Sequence, residues 1–394
     1  MAFISTSLLF IAPLLVTLAL KVNALVGIDR APNSLALVAG VGGLLAMVAN
    51  PFFGRMSDRT SSRLGMRRPW MLIGLVGGSL GILVVALAPT VAVVLVGWCT
   101  AQIFFNALLA AEVAVLADQV PVAQRGLVSG VLGVCVPVAS VTGSFVVKLF
   151  TGNQLTMFLA PCAIGGFFVL LFAVTLDDRR LATGDKPTWS LREFAATFYV
   201  DPPRSPDFAW AFASRFLFVL AYAFLTTYQA YYLIAHLGSA EADVPGQIFL
   251  GTLTQSAVVV AASLLGGGLS DRIGRRKVFV LTASMVYAMA MFVVAAATGF
   301  NGFLVGMAIG GLGFGIYVAV DLALVVDVLP GDGKAAAKDL GVFNIASALP
   351  YSIAPAIGPV ILAVGGGSYG VLYAVAGVCA VLGALAILPV RRVR

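Results

Sequence analysis

Twelve long apolar runs constrain this chain more than any other feature. Each approaches the roughly 20 residues that an α-helix needs to cross the hydrocarbon core of a bilayer. They cover residues 4–26, 34–53, 70–89, 91–117, 126–149 and 155–176, and then 209–235, 247–268, 278–298, 302–328, 340–364 and 369–390. Because 60% of the residues are hydrophobic and 10% are charged, we expect an all-α membrane protein with twelve transmembrane helices.

The basic residues predict an orientation. If residue 1 lies in the cytoplasm, the loops on that side hold nearly all of the 24 Lys and Arg. The exceptions are Arg30 in an opposite loop and Lys21, Lys148 and Arg215 inside helices. Short cytoplasmic loops carry such an excess, so we predict a plasma-membrane protein with both termini in the cytoplasm. The net charge of +7 then reflects topology and does not indicate a nucleic-acid partner.

A basic motif occurs twice. The first hinge motif is GRMSDRTSSRLGMRRPW, residues 54–70, and the second hinge motif is GGLSDRIGRRK, residues 267–277. The repeat continues in EVAVLADQVP at 112–121 and DLALVVDVLP at 321–330. Such internal symmetry predicts a duplicated membrane fold. We therefore expect a six-helix half at 1–176, a cytoplasmic linker at 177–207 and a second six-helix half at 208–394.

Both motifs resemble the signature loop between helices two and three of the major facilitator superfamily, and the repeat extends this resemblance over the whole chain. Within that superfamily, residues 50–70 resemble the glycoside-pentoside-hexuronide cation symporters, including melibiose permeases, and the sucrose-proton symporters. The matching residues are Pro51, Gly54, Asp58, Arg59, Ser62, Arg63, Gly65, Arg68 and Pro69. The resemblance implies a secondary active transporter that moves a small polar solute, a sugar or glycoside, by alternating access.

One departure from this resemblance bears on the coupling ion. Sodium-coupled melibiose permeases carry two aspartates on helix two at the positions of Asn50 and Ala46. Without that carboxylate pair a hard cation loses its anionic oxygen ligands. We therefore expect proton coupling rather than sodium coupling, with uniport as the alternative, and neither a metal site nor a cofactor.

The resemblance also implies a charge-relay lock at the hinge motifs. Asp118 is expected to pair with Arg59 or Arg68, and Asp327 with Arg272 or Arg276, while the alternative is that these helix-end acids are merely solvated. The candidate gating residues are Gly54, Asp58, Arg59, Arg68, Asp118, Gly267, Asp271, Arg272, Arg276 and Asp327.

Deeper ionisable residues are candidates for proton coupling, because a central charge costs roughly 2.5–3.5 kcal/mol on insertion scales. Glu112 and Asp321 lie about 9 Å deeper than the lock acids at 1.5 Å per residue, and Arg215 is expected at similar depth. One arginine near two carboxylates leaves one acid in excess to carry a proton. The alternative is a permanent ion pair that only fixes helix packing. For Lys21, we expect its long stem to snorkel to the interface.

Neutral polar side chains form the candidate solute site. Gln102 and Asn106 are spaced i, i+4 and therefore share a helix face. The further candidates are Tyr222, Thr226, Tyr228, Gln229, Gln255, Tyr317 and Asn344. Amides and aromatic faces suit an uncharged, hydroxyl-rich ligand, although such groups also bond helices to one another in membrane bundles.

Other functions are weighed against sugar symport. A multidrug or metabolite exporter of the same fold would need a broader, more apolar cavity, and a non-transporting membrane nutrient sensor is the alternative of another class. We do not expect an enzyme, because the chain has no nucleophile elbow, Walker sequence or dinucleotide loop. The expected partners are a small-molecule substrate and the lipid bilayer, and we expect a monomer.

Overall fold

The computed structural model describes residues 1–121, 124–181, 206–273, 275–328 and 343–390. Within these ranges the chain is helical and contains no strand. The described residues form 12 helices that are long and apolar enough to cross a membrane. The predicted all-α fold with twelve transmembrane helices is therefore confirmed.

The helices of the first half follow the predicted runs closely. They are α1 (Ala2–Val26), α2 (Ala31–Asp58), α3 (Arg68–Leu87), α4 (Val91–Gln119), α5 (Arg125–Leu149) and α6 (Gln154–Thr175). Side-chain caps fix two of the starts: Thr90 accepts from the Val93 N–H at 3.4 Å, and Asn153 accepts from the Thr156 N–H at 3.2 Å. Each cap satisfies one of the free N–H groups at a helix N-terminus.

The helices of the second half repeat this order. They are α7 (Pro206–Ala235), α8 (Val244–Ile273), α9 (Arg276–Ala296), α10 (Phe300–Val328), α11 (Phe343–Val364) and α12 (Tyr369–Ala386). Close packing within each half depends on glycine. A Cβ on Gly81 of α3 would lie 2.5 Å from the Ala101 nitrogen of α4, and one on Gly313 of α10 would lie 2.7 Å from the Tyr287 nitrogen of α9. Small residues of this kind let membrane helices approach closely.

Two helices extend further than their apolar runs. The run at 34–53 ends just before the first hinge motif and the run at 247–268 ends two residues into the second, yet α2 continues to Asp58 and α8 continues to Ile273. Hydropathy marks the part of a helix that suits lipid, whereas the backbone hydrogen bonds continue into the polar residues beyond it. The Gly54–Asp58 part of the first hinge motif is therefore the last turn of a helix and not a loop.

The chain divides into two compact units, Met1–Ser190 and Leu191–Arg394. Of the predicted linker at 177–207, residues 182–205 lie outside the described part. Residues 177–181 follow α6, and Pro206 begins α7.

Candidate gating and coupling sites

Arg67 is the centre of the first hinge motif. Its side chain is 5% exposed and lies between two acids, with Nη1 at 2.6 Å from Asp58 Oδ1 and Nε at 2.8 Å from Asp118 Oδ2. Nη1 also donates to the Ser57 hydroxyl at 3.0 Å. Burial alone would lower the pKa of Arg67, but the hydrogen bonds and charges of Asp118 and Asp58 outweigh it and raise that pKa above its usual value. The guanidinium therefore stays charged and joins the ends of α2 and α4.

The backbone at Arg67 is held by a residue from the far end of the same half. Asp178 Oδ2 accepts from the N–H groups of Arg67 and Arg68, each at 2.8 Å. These N–H groups belong to the N-terminus of α3, where they have no partner within the helix and where a negative charge is favourable. Asp178 thus caps α3 from the segment that follows α6.

Gly65 permits this close approach. It has a φ of +107°, and a Cβ there would lie 2.1 Å from Asp178 Oδ2. Two further bonds hold the same segment: the Met66 N–H donates to the Arg179 carbonyl at 3.0 Å, and the Ser61 hydroxyl donates to the Leu181 carbonyl at 3.1 Å. The start of the linker is therefore hydrogen-bonded to Ser61, Met66, Arg67 and Arg68 of the first hinge motif.

The pairing predicted for Asp118 was wrong in its basic partner. We expected Arg59 or Arg68, but the structure uses Arg67. Arg68 is the first residue of α3 and donates instead to the Leu176 carbonyl. Arg59 is the C-cap residue of α2, and its Nη1 is buried and has no hydrogen-bond partner among the residues described. The sequence does indicate Arg67 as a possible partner of Asp118, because it lies next to Arg68 in the same basic cluster.

The second hinge motif is described less completely. The surroundings of Gly267 and the side chains of Asp271 and Asp327 are not described, so the predicted pairs of Asp327 remain a prediction. Arg272 is exposed near the end of α8, and Arg276 begins α9. Beyond them, Lys277 Nζ donates to the Val390 carbonyl at 2.9 Å. Within the second half, this lysine connects the start of α9 to the residues that follow α12.

Asp321 and Arg215 form an ion pair inside the second half. Arg215 Nη1 lies 2.5 Å from Asp321 Oδ2, and the two side chains are 22% and 11% exposed. Arg215 Nε donates to the Ser347 hydroxyl at 2.6 Å, and the guanidinium lies 5.0 Å from the centre of the Phe343 ring. The pair therefore joins α7, α10 and α11 and leaves neither charge uncompensated.

Glu112, the counterpart of Asp321 in the repeat, forms no ion pair with a residue that the structure describes. The residue is 7% exposed, and both carboxylate oxygens lack a hydrogen-bond partner among the described residues. The Thr6 hydroxyl on α1 lies nearby, but its oxygen also makes no hydrogen bond. Within the second half Arg215 therefore compensates Asp321, whereas within the first half the Glu112 oxygens accept no hydrogen bond from a described residue.

Three amide side chains meet in the first half. Asn106 Nδ2 donates to the Gln102 carbonyl at 2.8 Å and to Gln102 Oε1 at 3.3 Å. Asn50 Nδ2 donates to Asn106 Oδ1 at 3.4 Å. Asn50 thus occupies the position where melibiose permeases have an aspartate, and it bonds to a candidate solute residue on α4.

Aromatic rings surround several candidate residues in the second half. Tyr222 stacks on Phe314 with centroids 4.6 Å apart, and Tyr317 stacks on Phe218 at 3.7 Å. Gln255 Nε2 and the Tyr287 hydroxyl are buried and have no hydrogen-bond partner in the described part of the chain, and a Cβ on Gly310 would lie 3.7 and 3.6 Å from their side chains. Tyr287 was not among the sequence candidates, because a tyrosine inside an apolar run carries no pattern that marks it.

Other candidates are placed differently. Tyr228 is fully buried, and its hydroxyl donates to the Pro355 carbonyl at 2.8 Å. That carbonyl has no donor in its own helix because Pro359, four residues on, has no N–H. The Thr226 hydroxyl bonds back to its own helix at 3.2 Å, Gln229 is 2% exposed with Nε2 unpartnered, and Asn344 is exposed. In this structure Tyr228 and Thr226 thus have their hydroxyls engaged within the protein.

Lys21 does not snorkel as expected. It is 6% exposed and donates to the Ala86 carbonyl at 2.9 Å and to Gln154 Oε1 at 3.1 Å. The Ala86 carbonyl lies at the C-terminus of α3, where carbonyls have no partner within the helix. Lys21 therefore links α1, α3 and α6 inside the first half.

Twelve membrane-spanning helices, a repeated basic motif and ionisable groups within the spans define a polytopic solute transporter. A sequence model of the Major Facilitator Superfamily matches residues 1–254 and 239–394. The chain belongs to this superfamily, whose members are transporters and not enzymes.

Solved structures share the fold at low sequence identity. A nucleoside transporter, NupG, aligns with a TM-score of 0.77 at 12% identity and covers 99% of this chain and 98% of that chain. A D-xylose-proton symporter aligns with a TM-score of 0.71 at 15% identity, and the alignment covers 98% of this chain and 96% of that chain. A bacterial homologue of the human lysosomal transporter Spinster aligns with a TM-score of 0.73 at 14% identity, and the alignment covers 100% of this chain and 96% of that chain.

One curated relative matches part of the chain. The multidrug resistance protein MdtL of Shewanella sp. (strain ANA-3) is 32% identical over 126 residues. The match covers 32% of this chain and 30% of the relative.

Proposed function

We propose that the protein is a proton-coupled secondary transporter of a neutral, hydroxyl-rich solute, a sugar or glycoside, that works by alternating access. The observation that carries this proposal is the difference between two equivalent acids. Arg215 compensates Asp321 at 2.5 Å, whereas both oxygens of the buried Glu112 carboxylate lack a hydrogen-bond partner among the described residues.

This difference supports a proton-carrying role for Glu112. A buried charge is costly unless it is paired, so an unpartnered carboxylic acid is favoured in its neutral form while it is buried. When alternating access exposes such a group to water, ionisation becomes cheaper and the proton is released. Asp321 is held as a carboxylate by Arg215 and serves packing in this proposal, although the sequence assigned it to the coupling set.

The type of solute is inferred from the neutral polar groups. In the second half, Gln255 Nε2 and the Tyr287 hydroxyl have no hydrogen-bond partner among the described residues, and the Tyr287 ring lies 6.4 Å from that of Tyr222. In the first half, Gln102 and Asn106 present amides. Sugars offer hydroxyls to amides and C–H faces to aromatic rings, and pockets of this composition suit such ligands.

We further propose that the cluster of Asp58, Arg67 and Asp118 acts as a gate. It joins the ends of α2, α3 and α4 through one buried guanidinium. A cluster that is intact in one state and broken in another lets parts of a transporter move as rigid bodies. From the basic loops we also infer that the hinge motifs face the cytoplasm of the plasma membrane.

Uptake by proteoliposomes tests the solute and the coupling ion together. The purified protein is reconstituted, and a panel of labelled sugars, glycosides and nucleosides is supplied with or without an imposed pH gradient. We expect accumulation of a sugar only when the outside is more acidic, and no stimulation by a sodium gradient. Equal uptake with and without the pH gradient would show facilitated diffusion and would contradict coupling.

Glu112→Gln tests the proton carrier. We expect it to abolish accumulation against a gradient while counterflow exchange of the same sugar continues, because exchange needs no net proton movement. Glu241→Gln is the matched control, since Glu241 is an exposed loop residue that undergoes the same change of charge. Full accumulation by Glu112→Gln would remove Glu112 from the coupling mechanism.

Export of a more apolar solute is the second candidate function. It is favoured by the 126-residue match to the multidrug resistance protein MdtL at 32% identity. Inverted membrane vesicles separate the two functions: an exporter concentrates its solute inside these vesicles when their interior is acidic, whereas a sugar-proton symporter does not.

A further inference from the structure

We infer that Gly310 on α10 is a specificity-determining residue of the proposed solute site and that the space beside it takes one hydroxyl group of the solute. Gln255 on α8 and Tyr287 on α9 supply the hydrogen bonds to this hydroxyl. The role depends on the proposed transport of a hydroxyl-rich solute, and it adds which part of that solute is recognised. All three residues belong to the second half.

Helix packing accounts for every glycine of α10 except Gly310. At the others a Cβ would lie 2.4–2.9 Å from another atom, which is too close for a side chain; they are Gly302, Gly306, Gly311, Gly313 and Gly315. At Gly310 the nearest atom would be the Ala290 Cβ at 3.5 Å, which is ordinary van der Waals contact. Alanine would fit at this position, and it stabilises a helix interior more than glycine does. The glycine at 310 therefore needs another explanation.

Two buried polar groups border the space beside Gly310. Its Cβ would lie 3.7 Å from Gln255 Nε2 and 3.6 Å from Tyr287 Cε2, and the Tyr287 hydroxyl is carried by the adjoining ring carbon. Gln255 is 8% exposed and Tyr287 is fully buried. Neither the Gln255 Nε2 group nor the Tyr287 hydroxyl has a hydrogen-bond partner in the parts of the chain that the structure describes. Buried polar groups are costly without a partner, so a ligand group at this place would satisfy both.

Gly310 also lies on the face of α10 that carries the solute-site rings. At 3.6 residues per turn, the residues on this face fall within an arc of about 60°; they are Gly310, Phe314, Tyr317 and Asp321. Phe314 is half-buried and stacks on Tyr222, with ring centroids 4.6 Å apart. Because Phe314 is four residues from Gly310, the rise between them is about 6 Å. A solute ring that packs on Phe314 can therefore extend a hydroxyl to the space beside Gly310.

A hydroxyl group suits these two partners better than other small groups. The Gln255 Nε2 group can only donate, whereas the Tyr287 hydroxyl can donate and accept. A solute hydroxyl can accept from the amide and donate to the phenol at the same time. An ether oxygen can only accept, and a methyl group can do neither. A solute that lacks this hydroxyl would leave both protein groups unsatisfied, and sites of this kind discriminate strongly against such analogues.

Counterflow in proteoliposomes tests the role of Gly310 without a pH gradient, so a failure of proton coupling does not affect the result. Liposomes are loaded with unlabelled D-glucose, D-galactose, D-xylose, melibiose or sucrose, and the entry of the same labelled sugar is measured. Monodeoxy analogues of the sugar that enters fastest then compete with it. In the wild type we expect the loss of one particular hydroxyl to weaken competition by roughly tenfold or more. Gly310→Ala should abolish this preference, because its methyl group occupies the space of the hydroxyl.

Thermal unfolding in detergent separates this role from a folding defect. Gly310→Ala should unfold at the wild-type temperature or above it. Gly311→Ala is the matched control and should unfold at a lower temperature, because its Cβ would meet the α8 backbone at 2.6 Å. A destabilised Gly310→Ala would assign this glycine to helix packing and overturn the inference. A stable Gly310→Ala that keeps the wild-type preference would also overturn it, since the space would then hold water only.

A second variant keeps the test decisive if Gly310→Ala is inactive in counterflow. Gln255→Leu leaves Gly310 unchanged but removes the amide donor, so it should lose the preference for the same hydroxyl. Retention of that preference by Gln255→Leu would overturn the inference. Entry of a sugar with equal competition by all of its deoxy analogues would contradict the hydroxyl site alone. Absence of entry by all five sugars would instead contradict sugar transport itself, together with the hydroxyl site that depends on it.

Discussion

Arg67 Nε donates to Asp118 Oδ2 at 2.8 Å, which ties the residue that precedes α3 to the end of α4. The same guanidinium reaches Asp58 at the end of α2. Since Arg67 is 5% exposed and Asp118 is 24% exposed, water screens this contact less than it would an exposed pair. Three helix ends of the first half therefore depend on one side chain.

Replacing Arg67 should weaken the first half and impair turnover. In Arg67→Gln both acids lose their cationic partner, so we expect a loss of about 1.5–3 kcal/mol, the range for hydrogen bonds to charged groups. Thermal unfolding in detergent and the maximal rate of solute uptake measure the two effects. The control is Arg63→Gln in the same loop, where the side chain is exposed. Equal effects of both variants would contradict a specific role for Arg67.

Gly65→Ala should destabilise the protein more than Gly27→Ala. Both glycines have positive φ, +107° and +76°, so an alanine meets backbone strain of about 1–3 kcal/mol at either position. A Cβ on Gly27 meets nothing within 4 Å, whereas one on Gly65 meets Asp178 Oδ2 at 2.1 Å. The difference in unfolding temperature between the two variants therefore reports the contact with Asp178. Identical unfolding temperatures would show that the Asp178 side chain moves away from the added methyl group without a loss of stability.

The ion pair of Arg215 and Asp321 should be structural. Arg215→Gln leaves a nearly buried carboxylate unpaired, and we expect it to cost about 3–5 kcal/mol. Adding Asp321→Asn removes the uncompensated charge and should restore most of the lost stability. The double variant should retain proton-dependent accumulation, measured by uptake under a pH gradient. Loss of accumulation in a stable double variant would return Asp321 to the coupling mechanism.

Gln255→Leu and Tyr228→Phe should affect different properties. The Gln255 Nε2 group, which has no hydrogen-bond partner among the described residues, is proposed to bind solute, so its loss should raise the KM for uptake several-fold with little effect on stability. The Tyr228 hydroxyl serves the Pro355 carbonyl at 2.8 Å, so its loss should cost about 1–3 kcal/mol of stability and leave the KM unchanged. Michaelis–Menten kinetics together with thermal unfolding separate these outcomes, and a raised KM in Tyr228→Phe would place its hydroxyl in the solute site.

Much of the candidate site could be named from the sequence, but its pairings could not. The internal repeat and the depth of each residue within its predicted helix identified Glu112, Asp321 and Arg215 as ionisable groups within the spans. The choice of Asp321 as the partner of Arg215 depends on the packing of α7 against α10 and α11, which no local pattern encodes. Likewise, the i, i+4 spacing predicted that Gln102 and Asn106 share a helix face. The contact of Asn50 with Asn106 depends on the packing of α2 on α4.

The sequence by itself determined the twelve spans, their duplication and the superfamily, because lipid requires long apolar helices and a repeated motif is visible in one dimension. The tertiary structure decided which charge meets which. Asp178 lies more than 100 residues from Arg67 in sequence and accepts a hydrogen bond from its backbone N–H. The Arg67 guanidinium in turn donates to Asp118. The tertiary structure also leaves both Glu112 oxygens without a hydrogen bond from a described residue. Side-chain contacts at a few ångströms depend on how helices far apart in sequence are rotated and packed, and that information arises only when the chain folds.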